Sequence, residues 1–314
     1  MPNKKLEERI EQLRNLRHNP PAADVDLILR KALADRANLV IAEAAKSVGE
    51  MRLSAAIPFL LTAFARLFED AAKVDPKCWG KTAIVKALVQ LDYSESPPFV
   101  RGLRHVQMEP VWGGQEDSAL HLRANCALAL VQCSDLARLE VFRYLVDAMS
   151  DSADPVRVEA VRAIHQLGGD ESLLLLRLKA RLGDRRPLII GHVFDALLNL
   201  ERDRAVPFVA EYLSSTEEEL RDEAALALGG SRLITAVQFL IETWKHSHGE
   251  AFSSVLLRAI SSSRLDEAIE FLLELVRTGT PRQFAAATDA LKLHESSPDV
   301  QAAIERAKKH RSDS

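Results

Sequence analysis

Cysteine and long apolar runs are both scarce in this chain, and each shortage removes a class of protein. Three cysteines in 314 residues cannot build a disulfide framework, so a reducing compartment is expected. Cys126 and Cys133 stand seven apart on one predicted helix, which separates their backbones by about 10 Å, too far to bridge. No segment reaches the roughly 18 apolar residues that a spanning helix needs. The first twenty, MPNKKLEERIEQLRNLRHNP, lack the apolar core of a signal peptide. The expectation is a cytoplasmic protein without membrane contact. Blocks of one charge are missing too: 41 Lys and Arg against 45 Asp and Glu leave a formal net charge of -4. Without clustered cations, nucleic acid is not an expected partner. No glycine-rich phosphate loop and no Ser-His-Asp order is present, so no catalytic residue is assigned. No alternation of apolar and polar residues predicts a strand.

What the chain does contain is a repeat. A small residue followed by an aliphatic one recurs as Ser47-Val48, Ala87-Leu88, Ala129-Leu130, Ala163-Ile164, Ala196-Leu197, Ala227-Leu228, Ala259-Ile260 and Ala290-Leu291. The successive spacings are 40, 42, 34, 33, 31, 32 and 31 residues. A period of this size marks helix pairs that bury their apolar faces by stacking on neighbours. A second column, Phe59, Phe99, Phe142, Phe208, Phe239 and Phe271, with Leu175 in the fifth slot, marks the partner helix. We call the Phe helix A and the small–aliphatic helix B. Short turns such as Ser152-Ala153-Asp154-Pro155 and Ser215-Thr216 carry helix-start signals.

The units DPVRVEAVRAIHQLG at 154–168 and ELRDEAALALGG at 219–230 resemble HEAT repeats, and more closely the short bacterial phycobilisome-lyase-like variety. The resemblance spans roughly residues 22–295 and implies an all-α fold: a right-handed α-solenoid, or α-α superhelix, of about eight helix pairs with terminal capping helices. The expected layout is one elongated domain. A capping helix fills 1–21, and repeats fill 22–53, 54–93, 94–135, 136–169, 170–202, 203–232, 233–264 and 265–296. A closing helix and tail, ending in a frayed HRSDS, fill 297–314.

Two units break the pattern. From the helix A slot to the helix B small residue the distance is 19 to 21 residues in units four to eight, but 28 and 30 in units two and three. The surplus lies in RLFEDAAKVDPKCWG (66–80) and RHVQMEPVWGGQED (104–117). These hold Trp79 and Trp112, with Cys78, His105 and Met108. Inserted residues on one edge of a repeat array often form its binding face. The aromatics with Lys81, Arg101, Arg104 and His105 suit a protein interface, where Trp and Arg carry much of the energy. The competing expectation is that each Trp plugs the gap its own loop leaves. Cys78, His105, His121 and Cys126 are metal-ligand types, but none shows the close spacing of a zinc site. No metal or cofactor is expected, and nothing marks Cys78 as an activated thiol.

Counting helix B from its small residue, positions -1 and +3 lie opposite the apolar stripe. They hold Lys86, Arg162, Asp195 and Arg258 at -1, and Gln90, Gln132, Gln166 and Asn199 at +3. The resemblance to HEAT arrays implies that this face is the concave wall. A column of side-chain amides both donates and accepts hydrogen bonds, as an extended peptide backbone requires; a solvated face or an inter-repeat ladder is the plainer alternative. Position -6 holds Lys81, Arg123, Arg157 and Arg221, for which ion pairing to acids in the preceding turn is expected.

Arrays of the deoxyhypusine hydroxylase kind bind di-iron through repeated His-Glu pairs, and here His294-Glu295 is the single such pair. The expectation is therefore a non-enzymatic scaffold that holds a protein or peptide on the helix B wall and the two long turns. The alternative is a phycobilin-lyase-like or other ligand-binding protein using the Trp79 and Trp112 loops.

Overall fold

A computed structural model describes residues 2–18, 25–247 and 249–313, with side chains placed for all but a few at the ends of these stretches. The join expected at 21/22 lies outside them, as does Ser314 of the tail. The chain divides into two compact units, 1–167 and 168–314. The first holds α1 (Pro2–His18), α2 (Val25–Leu33), α3 (Asn38–Glu50), α4 (Ile57–Arg66), α5 (Ala71–Val74), α6 (Trp79–Gln90) and α7 (Pro97–Leu103). A hairpin of β1 (Met108–Val111) and β2 (Gly114–Asp117) follows, then α8 (Leu120–Ala129), α9 (Arg138–Ala148) and α10 (Asp154–Leu167). The second unit holds α11 (Gly169–Leu182), α12 (Pro187–Glu201), α13 (Val206–Ala210), α14 (Glu218–Gly230), α15 (Ile234–His246), α16 (Glu250–Ser262), α17 (Asp266–Thr278), α18 (Pro281–Leu291) and α19 (Pro298–Asp313). The protein is nearly all helix. No helix among the described residues is long and apolar enough to cross a membrane.

The small–aliphatic pairs explain how the helices stack. In the first unit α3, α6, α8 and α10 lie side by side in chain order, and in the second α12, α14, α16 and α18 do the same. Every member of the eight pairs is buried, from Ser47 and Val48 to Ala290 and Leu291. Small side chains let two helix backbones approach, and the aliphatic neighbour fills the seam; each fully buried Leu or Ile contributes about 1.5–3 kcal/mol. Glycine tightens the seam further at Gly229, where an added Cβ would fall on the Ala259 carbonyl, 2.7 Å from its carbon. At the chain's start, Leu13 and Leu16 of α1 are buried, and Arg17 of the same helix pairs with Glu43 at 2.6 Å.

The Phe column does less packing than its spacing predicts. Phe99, Phe142 and Phe208 are buried, but Phe59 and Phe271 are half-buried and Phe239 is 43% exposed. In four units the next residue takes the core position instead: Leu60, Leu176, Leu240 and Leu272 are all at 0%. Several Phe rings serve as platforms for arginine, with Arg30 of α2 4.3 Å from the Phe59 ring centre and Arg177 of α11 4.6 Å from that of Phe208. The hairpin is a second departure, since no strand was expected. Gly113 at φ +93° makes the two-residue turn that joins its strands, a conformation open mainly to glycine.

Candidate functional site

Both long turns of the first unit are ordered by one polar network. Asp75 and Lys81 are completely buried and form an ion pair at 3.1 Å. Asp75 also accepts from Gly80 N (2.8 Å) and Lys81 N (3.0 Å) at the start of α6, and from Asn38 Nδ2 at 3.0 Å. A carboxylate at a helix N-terminus satisfies orphan amides and complements the helix dipole. Lys81 Nζ donates to Leu67 O (3.1 Å) and Gln107 Oε1 (3.0 Å), while Gln107 Nε2 donates to Asp75 O (2.9 Å) and Glu109 Oε1 (2.6 Å). Lys77 N and Ser118 Oγ donate to the same Glu109 oxygen at 2.7 and 2.6 Å. Asp117 closes the hairpin base, accepting from Gln107 N and Ala119 N at 3.0 Å and from Arg123 at 2.6 Å. Arg123 continues to Asp151 with two bonds of 2.8 and 3.0 Å.

This explains the hairpin, whose sequence MEPV/GQED has no strand pattern. Its strands are held by Glu109 and Asp117 reaching polar partners outside the ladder, a tertiary cause invisible to local periodicity. The same network holds Lys77 (φ +60°) and Cys78 (φ +53°) in the left-handed region, at a cost of order 1–3 kcal/mol each. Three of the four -6 cations form the expected ion pairs, Lys81 with Asp75, Arg123 with Asp117 and Arg157 with Asp154 at 2.7 Å, whereas Arg221 lies over the Phe252 ring at 4.2 Å instead. Lys81 therefore leaves the set of surface-binding candidates, because no partner can reach a fully buried ammonium.

Around this base the side chains part ways. His105 is half-buried, edge-on to Phe68 at 4.8 Å, with Nε2 3.0 Å from Gln107 Oε1. Arg101 lies over the Phe68 ring at 4.0 Å and Arg104 over Tyr144 at 5.4 Å. Trp79 opens α6 and remains 47% exposed, while Trp112 at the hairpin tip is fully exposed. Neither plugs a gap, so that expectation is corrected for both. Val106, Met108 and Val111 are also exposed, with Met108 and Val111 on opposite faces of the hairpin. Trp112→Ala should change the unfolding free energy by no more than about 0.5 kcal/mol, read by calorimetry.

Titration follows from the burial. Burial keeps His105 below its ordinary value of 6.5, despite the bond to Gln107. Burial alone would raise Glu109 and Asp117, but the hydrogen bonds from Ser118, Gln107 and Lys77, and from Gln107, Ala119 and Arg123, outweigh it and hold both carboxyls low. All three bind protons less readily when folded, so each contribution is present above the unfolded-chain value and lost as pH falls through the folded one. The first unit should lose stability first below about pH 6.5 as His105 protonates, and again below about pH 4.5. Urea midpoints at pH 7.5, 5.5 and 4.0 check this, and His105→Asn should remove the first step. The Cys78 thiol is pushed up to about 11, chiefly by burial, and so stays protonated at neutral pH.

The helix B face of the first unit carries a second feature, a groove of about 450 Å³. Lys86, Val89 and Gln90 of α6, Asn125, Leu128 and Ala129 of α8, Val131 and Gln132 just beyond α8, and Gln166 of α10 line it. Four expected residues, Lys86, Gln90, Gln132 and Gln166, thus come together. Asn125 and Leu128 complete the wall; Leu128 occupied a -1 position, whereas Asn125 falls outside both chosen columns. The amides differ in freedom, since Gln132 Nε2 donates to Tyr93 O at 2.9 Å, an inter-repeat link. Arg162 is exposed and pairs with Glu159 at 2.7 Å. Asp195, Asn199 and Arg258 belong to the second unit, exposed on its helix B face, and Asn199 donates back to Asp195 O at 2.8 Å. His294 is buried, with Nε2 3.1 Å from Ser261 Oγ, which makes it a packing residue.

No family model matches this chain, and no curated protein matches it. Among solved structures, human deoxyhypusine hydroxylase in complex with glycerol is similar over 93% of this chain and 91% of that one, at 20% identity and a TM-score of 0.27. That neighbour is named as an enzyme, and the expectation of a non-enzymatic protein is withdrawn. The likeness brings no activity or ligand to this chain.

Proposed function

We propose that the helix pairs form α-solenoid arrays of HEAT type, and that the first unit holds an extended segment of another protein in its helix B groove. Under this reading Val89, Leu128 and Val131 supply an apolar floor. Gln90, Asn125 and Gln166 offer donors and acceptors to a passing backbone, and Lys86 attracts an acidic group at the rim. The observation that carries the proposal is the convergence of side-chain amides from three successive B helices on one groove. The exposed Trp79 and Trp112 serve as further contacts for the same partner, where rigid aromatic anchors cost little entropy to immobilise.

The test is affinity purification from the source cells with wild-type protein and with the double variant Gln90→Ala, Gln166→Ala, followed by mass spectrometry. The expected result is a polypeptide retained by wild type and lost from the variant, with unchanged thermal unfolding. Retention of the same polypeptide by both would reject the groove.

A further inference from the structure

The hairpin presents one usable sheet edge. Its register sets Met108 opposite Asp117, Glu109 opposite Glu116, Pro110 opposite Gln115 and Val111 opposite Gly114. Ser118 N donates to Gln107 O at 2.9 Å, extending the ladder by one pair. Bonded and non-bonded pairs alternate along antiparallel strands, so the pairs 107:118, 109:116 and 111:114 exchange hydrogen bonds. Met108 and Pro110 on β1, and Gln115 and Asp117 on β2, therefore turn their backbone groups outward. Pro110 has no N–H, which blunts the β1 edge. The β2 edge keeps both groups of exposed Gln115, with half-buried Asp117 next along.

Charge selects the occupant. Glu116 is exposed and faces Glu109 across the ladder, a like-charge pairing that is unfavourable unless neutralised. Glu109 already has donors in Lys77, Gln107 and Ser118, whereas Glu116 has no ion pair among the described residues. A second copy of this hairpin would bring Glu116 against further acids, and the body of a helix has no free backbone donors to offer an edge. We propose that β2 accepts an extended, basic segment of a partner protein as a third strand, its Lys or Arg meeting Glu116 on one face and its apolar residues lying on the other, the face of Met108 and Pro110. This rests on the reading of the first unit as a binding platform, and its test reads residues 115–117 while the groove test reads 90 and 166, so each can fail without the other.

The probe is the end-blocked peptide Thr-Val-Lys-Val-Lys-Val-Thr, with a counterpart carrying Glu for Lys, added to the ¹⁵N-labelled full chain. The Lys peptide should shift the Gln115 and Asp117 amide signals and slow exchange at Gln115 by at least tenfold. The Glu peptide should bind at least tenfold more weakly. Gln115→Pro removes the outward N–H while leaving the ladder, and should weaken the Lys peptide by about tenfold, with the Met108–Asp117 register verified by cross-strand contacts. Glu116→Lys, which leaves the backbone unaltered, should reverse the preference between the peptides. Equal binding of both peptides to wild type, or no change at Gln115, would overturn the proposal, as would undiminished binding by a correctly folded Gln115→Pro variant.

Discussion

Asp75→Ala is expected to destabilise the first unit by about 3–5 kcal/mol, the range for stripping one partner from a buried ion pair. The carboxylate it removes accepts from Lys81 Nζ, from the Gly80 and Lys81 amides and from Asn38, and no water can reach the ammonium left behind, since Lys81 is at 0% exposure. Lys81→Met should cost less, because Asp75 then keeps three N–H donors and the thioether stem fills the volume. The order matters more than either value: Asp75→Ala worse than Lys81→Met in denaturant midpoint, with hairpin amides exchanging fastest in the former. The reverse order would mean that the ion pair, and not the capping of α6, organises the long turns.

The second large effect is expected at adjacent glycines. Gly229→Ala places a methyl against the Ala259 carbonyl, 2.7 Å from its carbon, and backbone cannot rotate away as a side chain can. The α14–α16 seam must open, at about 1–3 kcal/mol or more. Gly230→Ala meets nothing within 4 Å and lies at the end of the same helix, so it should stabilise by about 0.4–1 kcal/mol through the unfolded chain. Thermal unfolding of both variants reads opposite signs from neighbouring residues. A neutral Gly229→Ala would show that the B helices do not meet as closely as described.

The helical character and the stacking seam were legible because they rest on periodicity. Small–aliphatic pairs such as Ala87-Leu88 and Ala196-Leu197 mark a contact repeated down the chain, and all eight are buried. The Phe column misled in part, since a ring at the flank of a helix and one in the core produce the same spacing; Phe99 is buried and Phe239 is exposed. The long turns were visible as surplus length and as two tryptophans, but not as structure. Nothing local in MEPV or GQED predicts a strand, and nothing in His105-Val106-Gln107 announces that Gln107 joins Lys81, Asp75 and Glu109. The Lys81 and Asp75 contacts, 26 and 32 residues away in sequence, leave no period to read. In the groove, counting positions on helix B found Lys86, Gln90, Gln132 and Gln166, yet it also collected Lys81, which burial removes, and second-unit residues that belong to a different compact unit.

Site-specific photo-cross-linking tests the central claim most directly. A photoreactive residue at position 90, inside the groove, is compared in the source cells with one at position 31, an exposed site on α2. The account predicts a discrete adduct of one polypeptide from position 90 that is absent from position 31 and diminished by Gln166→Ala. Adducts that are identical from both positions, or none from position 90 while position 31 reacts, would contradict it.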